Sequence, residues 1–155
     1  MHFPAAIALF NLFGLLWASM AGAAPLQLES RQIGGIQCNV NRLQIVSDLT
    51  GAKATAKTLT AALASDQASS DLMSTVTQGI SDAQAGIGKI AQALFTGQQA
   101  PAEDRDQVAS GLGAAIDAAG SLDTTDDATS QDVTKLQQQL AKAATAGKGV
   151  VANCK

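Results

Sequence analysis

From Cys38 onward apolar residues return every three or four positions, and that spacing constrains the fold more than any other feature of the chain. A period near 3.6 belongs to a helix with one buried stripe, and no run alternates as a half-buried strand does. Ile45, Leu49, Ala52, Ala56, Leu59 and Leu63 make a first stripe. Leu72, Val76, Ile80, Ala83, Ile87, Ile90 and Leu94 make a second, and Val108, Leu112, Ala115, Ala119 and Leu122 a third. Val133, Leu136, Leu140, Ala143, Gly147, Val150 and Cys154 make a fourth. The spacing predicts an all-α, up-and-down bundle of four Ala-rich amphipathic helices. Glycines at 51, 79, 86, 88 and 111 lie inside these stretches. Each costs about 1 kcal/mol against Ala, so a break at one of them would make five helices.

Stop and start signals fall between the stripes. Ser65-Asp66 and Ser69-Ser70-Asp71 offer N-caps for the second helix, and Gly97 offers it a C-terminal stop. Pro101 suits the first turn of the third helix, with Glu103 and Asp104 favourably placed at the positive end of its dipole. Asp123 to Asp127 separate the third helix from the fourth.

Residues 1–23 are expected to be a secretory signal. Ala5 to Ala18 is an apolar run too short to span a membrane comfortably, and Ala21 and Ala23 fit a small-x-small cleavage rule. The n-region has no Lys or Arg, which departs from the usual signal pattern, and a signal anchor is the alternative reading. No second apolar run reaches spanning length, so no transmembrane segment is expected in the mature chain. Residues 24–37 carry little pattern and include Gly34-Gly35. They are read as a flexible N-terminal arm or short pro-segment, uncut in preference to processed at Arg31, and residues 38–155 as the helical-bundle domain.

The two cysteines, Cys38 and Cys154, lie near the two ends of the expected domain. In an oxidising compartment such a pair forms a structural disulfide. Up-and-down topology brings the start of the first helix and the end of the fourth to one end of the bundle, where these two residues stand. Cys38 and Cys154 are therefore expected to pair, in a secreted, extracellular protein.

What the chain lacks narrows its chemistry. His2 is the only His and Trp17 the only Trp, Tyr is absent, and three of the four Phe precede residue 14. Beyond residue 23 no imidazole exists to activate Ser or Thr, or to complete a Cys/His zinc site. The carboxylates Glu103, Asp104, Asp106, Asp126 and Asp127 cluster at helix starts and in a linker, where they are expected to be caps and solvated charge. No catalytic residue, metal ligand or cofactor is expected. The net charge of −3 mixes both signs, with no basic run for nucleic acid or anionic lipid. No N-linked sequon occurs, so any glycan would be O-linked.

Large apolar residues supply about one position in five after Cys38, a thin core for this length. Alanine fills much of each stripe. Such a bundle either packs closely or opens to an apolar guest. A permanent dry void of about 300 Å³ would cost on the order of 7 kcal/mol, a large share of a domain's stability. The bundle is thus expected to collapse when empty or to carry its guest.

The stretch from Cys38 to Lys155 resembles the fungal family of hydrophobic surface-binding protein A and cell-wall galactomannoproteins. The resemblance rests on Ile90-Ala91-Gln92-Ala93-Leu94-Phe95-Thr96-Gly97, on Pro101-Ala102-Glu103-Asp104-Arg105-Asp106-Gln107-Val108, and on the closing Gly149-Val150-Val151-Ala152-Asn153-Cys154-Lys155. It implies a secreted or wall-associated helical protein without enzymatic activity. Such a protein binds hydrophobic surfaces or fatty-acid-like lipids and can bring a secreted hydrolase to them. This sequence lacks the long Ser/Thr-rich tail and anchor signal of the wall-attached members. The family supplies no residue-level ligand pattern. The expected apolar contacts therefore come from the stripes: Leu72, Val76, Ile80, Ile87, Ile90 and Leu94, then Val108, Leu112 and Ile116, then Val133, Leu136 and Leu140. Phe95 is the one aromatic candidate among them, although a helix-end staple in the core is its favoured role. The alternative is a secreted effector or antigen whose helices recognise another protein.

Overall fold

The computed structural model describes residues 35–154. The expected signal segment, most of the arm and Lys155 lie outside the described residues. Four helices make up the rest: α1 (Ile36–Ala62), α2 (Gln67–Phe95), α3 (Ala102–Gly120) and α4 (Asp127–Asn153). The internal glycines break none of them. The first helix starts two residues before Cys38, so Ile36 and Gln37 belong to α1 and not to the arm. Gly35, itself extended, is the N-cap, and the helix begins directly after it.

The helix ends follow local chemistry. The Asp66 carboxylate accepts the Ser69 N–H at 3.0 Å, and the Asp126 carboxylate accepts the Thr129 N–H at 2.8 Å and its hydroxyl at 2.6 Å. Pro101 is the N-cap of α3, one position before the first turn. At the end of α2, Gly97 takes φ of 74°, a left-handed conformation open to Gly at little cost. The Gln98 N–H then reaches the Ala93 carbonyl at 2.8 Å, and the Gly97 N–H reaches that of Leu94 at 3.1 Å. This is a Schellman closure, and it turns the chain back toward α3.

The capping carboxylates make a pH prediction. The Ser69 hydroxyl and N–H lower the Asp66 pKa, and the Thr129 hydroxyl and N–H do the same for Asp126. A carboxylate whose pKa is lower in the folded state stabilises the fold above its unfolded pKa. That contribution is lost as the pH falls through the folded value. The Asp66→Asn/Asp126→Asn variant keeps capping oxygens that cannot titrate. Between about pH 5 and pH 2 it should lose less stability than the parent in thermal melts. Identical acid profiles would refute the assignment.

The bundle is two layers. Along their lengths α2 lies close against α3 and α1 close against α4, whereas α1 and α2, and α3 and α4, approach less closely. Small residues cause the close approach. A Cβ added at Gly79 would sit 2.5 Å from the Gly111 carbonyl oxygen, and one at Gly111 would sit 2.6 Å from that of Gly79. Here α2 and α3 meet backbone to backbone. Between α1 and α4, Gly149 faces the buried Asn41 and Gly51 faces Gln139, which accepts a hydrogen bond from the Thr55 hydroxyl at 2.9 Å. The larger side chains form one contiguous core. Leu49, Leu59, Met73, Val76, Ile80, Leu136 and Leu140 are fully buried in it, and Val108, Leu112 and Val133 nearly so.

Cys38 and Cys154 form a disulfide with Cα atoms 5.1 Å apart across 116 positions of sequence. It joins the start of α1 to the end of α4, as the up-and-down topology requires.

Candidate functional site

The side chains read from the sequence as apolar contacts fall into three groups. Val76, Ile80, Val108, Leu112, Val133, Leu136 and Leu140 are buried together in the one contiguous core. Leu72, Ile87, Ile90 and Ile116 are half-buried and pack against its margin, and Leu94 is half-buried near the end of α2. Phe95 is 92% exposed, which corrects its reading as a core staple. The Schellman turn at Gly97 ends the helix without it. An aromatic ring is left in solvent beside a turn that does not need it for packing.

The α2 stripe is also rotated from its expected setting. Met73, fully buried, takes the place expected of Leu72. Both Leu72-Val76-Ile80 and Met73-Val76-Ile80 fit helical spacing. The contact with α3 through Gly79, Ala83 and Gly86 decides between them, because it fixes which edge of α2 faces the core.

The sequence carries a second apolar stripe on α1. Ile36, Val40, Leu43 and Val46 recur at steps of four, three and three on the face of α1 opposite its core stripe. Ile36 is 86% and Leu43 73% exposed, and Val40 and Val46 are each about half exposed. Val151, near the end of α4, is 64% exposed. These residues and Phe95 share one property of position. They belong to the first turns of α1, the end of α2 and the end of α4, all toward the disulfide end of the bundle.

The polar features offer less. A shallow groove of about 240 Å³ on the outer side of the α1–α4 pair is lined by Gly51, Ala54, Thr55, Thr58, Asp132, Lys135 and Gln139. That lining is mixed and does not suit an aliphatic chain. Lys89 donates to the Gln107 side-chain oxygen at 2.9 Å and pairs with the mostly buried Asp104 at 3.6 Å, which ties α2 to α3. One carboxylate oxygen of Asp48 is buried without a hydrogen-bond partner. Among the described residues no cluster of His, Cys, Asp and Glu could hold a metal ion, and no helix is long and apolar enough to cross a membrane.

Among the described residues, an aliphatic core is thus closed between two helix layers, and the large exposed apolar side chains gather toward the end where the disulfide lies. No family model, curated protein or solved structure matches this chain.

Proposed function

We propose that this chain is a secreted, non-enzymatic binding protein that adsorbs to hydrophobic surfaces and takes up fatty-acid-like lipids through its apolar helix faces. The carrying observation is the concentration of exposed apolar side chains, from Ile36 to Val46, Phe95 and Val151, toward one end of an otherwise polar bundle. Its resemblance to the fungal surface-binding and galactomannoprotein family supports the same reading. Wall association and recruitment of a secreted hydrolase belong to this proposal.

Aliphatic burial is worth about 0.8 kcal/mol per methylene at most, so affinity should climb with fatty-acid length by up to roughly fourfold per carbon. It should change little with salt, because apolar burial is not screened as exposed charge is. Titration with fatty acids of increasing length, at low and high ionic strength, checks both expectations. No uptake at any length, with no adsorption to wax or polystyrene, would end this reading.

The outward stripe Ile36-Val40-Leu43-Val46 also suits a second reading, a secreted interaction protein whose α1 face meets another protein. Such a protein would ignore lipids and plastic and would capture a specific partner. Under either reading, purified protein should give only background turnover on ester, glycoside and peptide substrates. Activity that vanished on mutating one Asp or Glu would contradict this.

A further inference from the structure

The candidate contacts pose a geometric question: most are sealed in the core, yet a lipid has to reach them. We infer that the disulfide end of the bundle is the face that meets a lipid–water interface, and that the two helix layers part there about the two connections at the opposite end. This rests on the proposed lipid binding and names the surface and the motion that would serve it.

The covalent links set the direction. At the disulfide end the Cys38–Cys154 bond ties α1 to α4, and the turn from Thr96 to Pro101 ties α2 to α3. Both ties run within a layer. The layers are joined to each other by the Leu63–Asp66 and Ser121–Asp126 connections, and both of these lie at the other end. Within each layer, small residues and hydrogen bonds hold the helices close. Gly79 is set against Gly111, Lys89 against Gln107 and Asp104, and Thr55 against Gln139. Between layers the helices stand farther apart, with Lys53 donating to Gln84 at 3.2 Å and the Gln137 amide donating to the Ala119 carbonyl at 2.8 Å. Parting the layers therefore keeps each pair intact and needs no reduction of the disulfide.

Surface chemistry points the same way. The exposed Ile36, Val40, Leu43, Val46, Phe95 and Val151 are toward the end that can open. On α1 they line the outer face, opposite the core stripe, so parting the layers would add the inner faces of the helices to apolar surface already exposed at this end. No carboxylate occurs from Ile36 to Ser47 or from Val133 to Cys154, and the exposed Lys142 and Lys148 can keep their ammonium groups in water while their stems lie on apolar surface. On the other layer Glu103, Asp104 and Asp106 stand at this end beside Lys89 and Arg105, and Lys89 pairs with Asp104. The exposed Asp66, Asp71, Asp123, Asp126 and Asp127 crowd the opposite end, which stays hydrated. The molecule is thus built to stand on an aliphatic surface with its acidic connections in solvent. The partner it fits is a fluid lipid interface rather than a rigid protein face.

The test compares binding of the full secreted protein to phosphatidylcholine vesicles. Leu43→Asp and Phe95→Asp, both at exposed positions, should each weaken binding about tenfold or more. Ala64→Asp, at the opposite end, should leave it unchanged. A short bis-maleimide link between Lys53→Cys and Gln84→Cys joins the layers and should abolish the binding. The same link between Lys89→Cys and Gln107→Cys lies within a layer and should not. If the parent binds vesicles and none of these changes alters binding, or if it takes up monomeric fatty acid but ignores vesicles, the inference is overturned while the proposed function stands. If the parent takes up neither fatty acid nor any apolar surface, both fall together.

Discussion

Replacing Cys38 and Cys154 together by Ala should lower the stability of the fold by about 4–5 kcal/mol. The bond closes a loop of more than a hundred residues, and on the chain-entropy model a loop of about 100 residues is worth roughly 4.7 kcal/mol. For a domain of this size that corresponds to a drop in Tm of roughly 15–20 °C. Cys38 is fully buried, so the Ala variant also loses some packing at the start of α1. The helices themselves should persist at low temperature, because their cores and caps do not depend on the bond. Thermal melts followed by circular dichroism, with the parent oxidised and reduced beside the double variant, test this. A shift below about 5 °C would mean that the bundle is closed mainly by its core. Two reactive thiols in the native protein would contradict the pairing outright.

Gly79→Ala and Gly111→Ala should each destabilise the protein by about 2–3 kcal/mol, although Ala is the better helix former by about 1 kcal/mol. The reason is the contact between α2 and α3. A methyl at either position meets the opposing backbone carbonyl at 2.5 or 2.6 Å, and backbone cannot rotate away as a side-chain tip can. The two helices would have to separate, and the Ala83, Gly86, Val108 and Ala115 contacts beside them would loosen as well. Gly88 is the internal control, since nothing lies within 4 Å of a Cβ there. Gly88→Ala should therefore stabilise the protein by up to about 1 kcal/mol. Denaturant titrations of the three variants give the comparison directly. Equal effects at positions 79, 88 and 111 would mean that helix propensity, not interhelical contact, governs these sites.

The sequence carried most of the architecture. Its four stripes became four helices, and the buried members of the first, third and fourth stripes were readable from spacing alone, from Ile45 to Leu63, Val108 to Leu122 and Val133 to Ala143. The Asp66 and Gly97 signals marked real ends of α2 because caps are decided within one helical turn. The pairing of Cys38 with Cys154 was readable because topology and residue position agreed. The outward stripe of α1 was readable too, but a second apolar face competes with the first, and spacing alone does not say which one faces the core.

Other features needed the folded chain. The rotation of α2 that buries Met73 and leaves Leu72 at the margin depends on where α3 docks, and that depends on glycines thirty-two positions apart meeting face to face. Within a single helix those glycines register only as weak helix formers. The exposure of Phe95 follows from how the chain turns at Gly97. The grouping of the helices into two layers, with the links between layers at one end and the ties within layers at the other, is a property of the assembled bundle. Periodicity and capping act over a few residues, so the sequence alone determined the helices and their apolar faces. The choice of close neighbours depends on how small residues from distant segments fit, and only the tertiary structure decided it.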